Sequence, residues 1–248
     1  MLGSPLSYQA GDIRAKGVLY RPGPGSGQRL PGVVLVHEGP GLGDHARLRA
    51  GMLAEEGYVV LAADLHGEGH VASSHAETLA LVSALLDDRP RLLARTRSAL
   101  EALVTLDEVD AGRTAAVGYC FGGLAVLDLA RSGAPVNAVA TFHGLLTPPA
   151  APLASPSRPI RARLLACTGG RDHLVPPEQV LAFQQEMDAA GADWQVLVLG
   201  GARHAFTNAL DAEKLRQLGF GYDRQADQRS WRATLAFLRD SLAAGDLG

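Results

Sequence analysis

The sequence predicts an α/β chain built on a mainly parallel sheet of about seven or eight strands, with helices on both faces. Three observations carry that prediction. Apolar runs of strand length alternate with helical patterns from one end of the chain to the other. The runs are continuous rather than alternating, as in Gly32–Val36, which is how strands buried on both faces read. Glycine-rich loops follow them, notably His37–Asp44 and Gly118–Gly123. Ligands bind such sheets beyond the carboxyl ends of the strands, so these loops are where a site is sought.

Taken in order, Ile13–Tyr20 reads as a short strand ended by the Pro/Gly cluster Arg21–Gln28. Gly32–Val36 is the next strand, and His45–Glu56 is a helix stopped at Gly57. Tyr58–Ala63 is a strand and Asp64–Gly69 a loop. Glu77–Leu86 and Pro90–Leu106 read as helices, the second with proline at its first turn. Thr114–Val117 leads into the turn at Cys120, and Phe121–Arg131 is the helix that leaves it. Val136–Phe142 is a strand, whereas Leu145–Pro159 carries five prolines and cannot be regular, so it is expected to be a surface loop bordering the site. The rhythm resumes with strand Arg163–Cys167, helix Glu178–Ala190, strand Trp194–Leu199 and terminal helix Gln228–Leu242. No internal repeat interrupts it, and residues 1–248 are expected to form one domain.

Composition narrows the function classes. Hydrophobic residues at 47% and charged ones at 20% suit a globule with a sizeable core. A net charge of −3 leaves no basic footprint for nucleic acid or an anionic membrane surface, and neither is an expected partner. Met1 to Asp12 lacks the basic and apolar regions of an export signal, and no apolar run is long enough to span a bilayer, so a cytoplasmic location is expected. The two cysteines, Cys120 and Cys167, fall on a turn and on a strand and are not expected to pair.

The chemistry sits at the strand ends. Cys120 lies between strand and helix with Gly118 and Gly122 two positions to either side, the pattern of a nucleophile elbow in which cysteine replaces the usual serine. A cysteine at a glycine-rich turn is otherwise simply buried. A thiol nucleophile needs a partner that holds it as thiolate, and that partner needs an acceptor. Asp172 follows the strand ending near Cys167, and His204 follows the strand ending near Leu199. Nucleophile, acid, histidine is the chain order of the α/β-hydrolase triad. His37, His66, His143 and His173 also fall near strand ends, but they lack metal-ligand spacing and no metal is expected.

Five segments together, the elbow Gly118–Gly123, His37-Glu38 with Gly41-Leu42, Ala63-Asp64-Leu65, Asp172-His173 with Val175-Pro176, and His204-Ala205-Phe206, resemble the dienelactone hydrolase family from about residue 13 to 240. The resemblance implies an α/β-hydrolase fold and a cysteine hydrolase of small esters or lactones, without metal or organic cofactor, with Cys120, Asp172 and His204 as triad. It further implies that Glu38 pairs with the resting thiol and is displaced when substrate arrives. By analogy with the fold, the N–H groups of Gly39 and Phe121 form the oxyanion hole. Two arginines hold the substrate carboxylate in that family; here one position is Asn208, and no arginine lies between Arg49 and Arg89. Arg203, Phe206, Phe220 and Tyr222 are the remaining pocket expectations, the last two within a long polar segment, 209–228, that reads as a cover. A non-hydrolytic ligand binder and a thiol-redox protein using Cys167 are the alternatives.

Overall fold

The computed structural model describes residues 2–23, 28–153 and 159–243. Its elements are β1 (Ser4–Ala10), β2 (Ile13–Tyr20), β3 (Leu30–Val36), α1 (Asp44–Glu55), β4 (Val59–Ala63), α2 (His75–Leu86), α3 (Arg89–Val104) and β5 (Val109–Tyr119), then α4 (Phe121–Arg131), β6 (Ala138–Phe142), β7 (Arg163–Gly169), α5 (Pro177–Ala189), β8 (Trp194–Leu199), α6 (Ala212–Gln217) and α7 (Arg224–Ser241). All eight strands join one sheet in the order β1-β2-β4-β3-β5-β6-β7-β8. The pairings from β4 through β8 are parallel, and β1 and β2 form an antiparallel arm at one edge.

The continuous apolar runs are buried on both faces because helices cover both. Val34 and Val36 of β3, with Val59, Leu61 and Ala63 of β4, pack into a core completed by α3, α4 and α5. Their neighbours Val33, Leu35, Val60 and Ala62 enter the opposite core, under α1 and α7. Alternation by two along a strand divides one apolar segment between two cores.

Two elements were absent from the sequence expectations. In β1, only every second residue turns toward the protein, so Leu6, Tyr8 and Ala10 are separated by polar residues and no apolar run marks the strand. Its full register with β2 and the two-residue turn at Gly11-Asp12 place it. Helix α6 lies within the polar segment 209–228 and buries none of its residues, so it carries no hydrophobic stripe to read. Strand β5 is longer than expected, with a register shift against β3 between Pro31 and Gly32. The proline-rich segment is without helix or strand in 145–153, and 154–158 lie outside the described residues, as do 24–27 of the earlier Pro/Gly cluster.

What positions the site is the crossing of α4 over the end of β3. Gly122 sits so close to that strand that a Cβ there would overlap the carbonyl oxygen of Val36, and one on Gly118 would strike the backbone of Gly122. The N–H of Gly122 instead donates to the His37 carbonyl at 3.1 Å. Gly122→Ala should therefore lose about 1–3 kcal/mol or more in urea unfolding. Gly23→Ala, exposed and with nothing within 4 Å of the added carbon, should stay within about 0.5 kcal/mol of the parent.

Candidate active site

Cys120 is held at φ 53° and ψ −117°, a conformation an L-residue rarely adopts, and caps the N-terminus of α4. The cost is met because Cys120 N–H donates to the Phe142 carbonyl at 3.0 Å and its own carbonyl accepts from Gly123 at 2.9 Å. The sulfur is thereby lifted off the sheet at the positive end of a helix.

His204 reaches it from the loop after β8. Nε2 lies 3.1 Å from Cys120 Sγ, and Nδ1 lies 2.9 Å from Asp172 Oδ2. Asp172, on the turn after β7, is itself held by the Leu174 N–H donating to Oδ1 at 2.9 Å. Nδ1 facing a carboxylate is the donor, so Nε2 is the atom that exchanges a proton with the sulfur. Burial works against a charged His204, but Cys120 and Asp172 outweigh it and push the imidazole up to about 10. An imidazolium 3.1 Å from sulfur favours thiolate. The structure thus brings together the three residues expected at three separate strand ends.

Glu38 behaves differently from expectation. No hydrogen bond among the described residues joins it to Cys120; its Oε2 accepts from Asn208 Nδ2 at 2.8 Å and lies 3.3 Å from His45 Nδ1. Its pairing with the resting thiol is therefore corrected. The reason is Asn208, whose amide stands where an arginine was sought, together with His45 on α1. Burial disfavours the Glu38 carboxylate, but His45 and Asn208 more than offset it and bring its pKa to about 2.

Asn208, His45 and the residues behind them were missed from the sequence. His45 Nε2 lies 3.3 Å from Thr207 Oγ1, Arg49 Nε donates to it at 3.4 Å, and Arg49 pairs with Asp227 of α7 at 2.6 Å. His45 and Arg49 are four apart on α1, but their contacts to Thr207 and Asp227 span more than 150 residues, and no local spacing signals those. His143, behind His204 with ring centroids 5.2 Å apart, is kept neutral by burial and by the charge of His204.

Gly39 and Phe121 line a cleft of about 200 Å³ together with Glu38, Cys120 and His204. Neither N–H has an acceptor among the described residues. The lining continues with Thr78, Leu79 and Val82 of α2, the first and last of them next to Gly39, Leu215 of α6, and Leu145, Leu174 and Leu218. Phe220 also lines the cleft, its ring 4.8 Å from that of His204. The other three pocket expectations are corrected. Arg203 points to solvent, because the loop turns it outward where His204 turns in. Phe206 is wholly buried edge-on against His143. Tyr222 is exposed and does not line the cleft.

Residues 16–242 match the dienelactone hydrolase family. The chain belongs to that family. Members are ester and lactone hydrolases, and the chain is one by class. It is 38% identical to a solved dienelactone hydrolase-like promiscuous phosphotriesterase from metagenomic libraries, with a TM-score of 0.91 over 98% of this chain and 99% of that one. It is 36% identical to an uncharacterized protein of Caenorhabditis elegans, over 63% of this chain and 98% of the relative. A Bradyrhizobium protein named as a probable 2-oxo-3-(5-oxofuran-2-ylidene)propanoate lactonase is 29% identical over 85% of this chain and 84% of the relative. Among the described residues, no helix of this family member is long and apolar enough to cross a membrane.

The raised pKa has a signed consequence. A histidine whose folded-state value lies above its unfolded value near 6.5 stabilises the fold below about pH 6.5, and that contribution is lost as pH rises through about 10. Because Cys120 is the largest of the raising influences, a Cys120→Ala protein should show the His204 imidazole titrating at clearly lower pH than the wild type in NMR. Equal midpoints in the two proteins would contradict the ion pair.

Proposed function

We propose that the protein hydrolyses small uncharged esters or lactones through a thioester acyl-enzyme, with Cys120 as nucleophile, His204 as acid and base, and Asp172 as its orienting carboxylate. The observation that carries this is His204, bridging Cys120 Sγ at 3.1 Å and Asp172 at 2.9 Å at the floor of an open cleft. The thiolate attacks the carbonyl carbon, the C–S bond forms, and the carbonyl π electrons move to oxygen. The Gly39 and Phe121 N–H groups receive that charge; one such donor is commonly worth about 3–4 kcal/mol. Collapse breaks the C–O bond, and His204 Nε2–H protonates the departing alkoxide. Neutral His204 then takes a proton from water, whose oxygen attacks the thioester; the carboxylic acid leaves and the thiolate returns.

The cleft supports an uncharged substrate. Its walls are mostly aliphatic, with Asp211 and Lys214 among the lining, and Glu38 stays ionised beside Asn208, so a substrate carboxylate meets repulsion where one of the family's arginines is sought. A thiol-redox role finds less support. Cys120 packs against the core under α3 and α4, whereas Cys167 lies in the core on the other face of the sheet, where burial pushes its thiol up to about 12.

The likeness to the promiscuous phosphotriesterase favours a second reading on the same residues. The thiolate would attack phosphorus of an uncharged phosphotriester, forming S–P and releasing an aryloxide. Nitrophenol release from a diethyl aryl phosphate tests it, with none above the Cys120→Ala background sinking it.

The principal test is hydrolysis of a short-chain nitrophenyl ester. Cys120→Ala should lose at least about 10³-fold in kcat. Cys120→Ser should also lose most activity, since a hydroxyl is not ionised by this histidine. Intact mass spectrometry of the wild type should show one acyl group on the protein. Turnover by Cys120→Ala at the wild-type rate would refute the proposal. A neutral butenolide should be hydrolysed with higher kcat/KM than its carboxylated counterpart, and the reverse order would remove the argument from Glu38.

A further inference from the structure

Two histidines outside the triad, His37 buried and His66 half-buried, converge on the loop that carries one oxyanion donor. His37 is the last residue before that loop and is fully buried. Its Nε2 accepts a hydrogen bond from the Leu65 N–H at 3.2 Å, and its Nδ1 lies 2.6 Å from the Glu38 carbonyl. A carbonyl only accepts, so Nδ1 carries the proton and the ring is the neutral Nδ1–H tautomer. His66, in the loop after β4, places Nε2 2.8 Å from the Gly39 carbonyl, so that nitrogen is also the donor. Its ring stacks on Phe121 at 6.0 Å and lies tilted to His37 at 4.9 Å, measured between centroids.

These bonds aim a peptide. The C=O of Glu38 and the N–H of Gly39 belong to one trans unit and point in opposite directions. With the carbonyl turned to His37, and to the Gly41 N–H at 3.2 Å, the Gly39 N–H is turned the other way. His66 fixes the following peptide, so the loop cannot rotate about Gly39 without breaking one bond or the other. The first carbonyl of the series, that of His37, accepts from Gly122 N–H on α4 and ties this donor to the helix that presents the second. The loop of His66 is itself held by Asp64, whose carboxylate accepts from the N–H groups of His66, Gly67 and Gly69 at 2.8–3.1 Å and from Lys16 at 2.9 Å.

We infer that His37 and His66 are positioning residues that orient the Gly39 N–H for the oxyanion of the reaction. The inference rests on the proposed function, because it concerns a donor that the chemistry uses only if a carbonyl is attacked. It separates two properties of Cys120. Alkylation by iodoacetamide is a displacement at sp³ carbon and creates no oxyanion, whereas ester hydrolysis does.

His66→Phe keeps the ring stack and removes the donor. It should lower kcat for nitrophenyl ester hydrolysis by roughly tenfold or more, while the second-order rate of Cys120 alkylation stays within about twofold. His66→Gln, whose amide can donate to the same carbonyl, should recover a substantial part of kcat. For His37, a long-range proton–nitrogen NMR spectrum should show the neutral Nδ1–H tautomer between about pH 5 and pH 9, the window in which an ordinary histidine changes charge. Unchanged turnover in His66→Phe, or turnover and alkylation falling in step, would overturn the role of His66; an Nε2–H or charged His37 would overturn that of His37. Cys120→Ala separates the two levels: if it hydrolyses ester like the wild type, the proposed function itself fails, whereas its inactivity beside a fully active His66→Phe removes only the positioning role.

Discussion

The site depends on the contact of two backbones at Gly122, where α4 passes the end of β3 with no room for a side chain. That crossing fixes the elbow against the loop after β3, so the amide that follows Cys120 and the amide of Gly39 face one cleft. Close packing allows only small adjustment there. The strained conformation at Cys120 follows from the same crossing, because the chain must leave β5 and enter α4 within one residue.

Around this crossing the chain buries His37, His143 and His204 and does not set them all to one state. His37 and His143 have no carboxylate within hydrogen-bond reach, and burial keeps them neutral. His204 has Asp172 on one side and Cys120 on the other, and stays charged despite the same burial. The difference is made by partners rather than by depth, as expected where desolvation and nearby charge compete. Glu38 follows the same rule with opposite sign, since its carboxylate survives burial through His45 and Asn208. The histidines thus differ by partner: His204 lies between a sulfur and a carboxylate, His37 and His66 hold backbone carbonyls, and His45 on α1 lies against a carboxylate.

Legibility in the sequence followed the range of the interactions. The sheet was readable because a strand buried on both faces must be apolar throughout, as Val33–Val36 and Val59–Ala63 are. Cys120, Asp172 and His204 were readable because each falls directly after such a strand, where the fold gathers loops. Strand β1 and helix α6 were not, since each is mostly exposed and takes its structure from a neighbour or a short turn. Phe206 and Tyr222 were assigned to the cleft by nearness in sequence to His204 and Phe220, but adjacent residues in a loop face different ways.

The amino-acid sequence by itself determined the order of most elements, the glycine pair that permits the elbow and the placing of Cys120, Asp172 and His204 directly after strands. These depend on composition and spacing within one element and its loop. Only the tertiary structure decided that Glu38 is held by Asn208 and His45 instead of the thiol, that Arg203 faces solvent, and that His37 and His66 hold the carbonyls of a glycine loop. Each is decided by distance and burial, whether the partners are neighbours, as His37 and Glu38 are, or 170 residues apart, as Glu38 and Asn208 are, and neither quantity exists until the chain has folded.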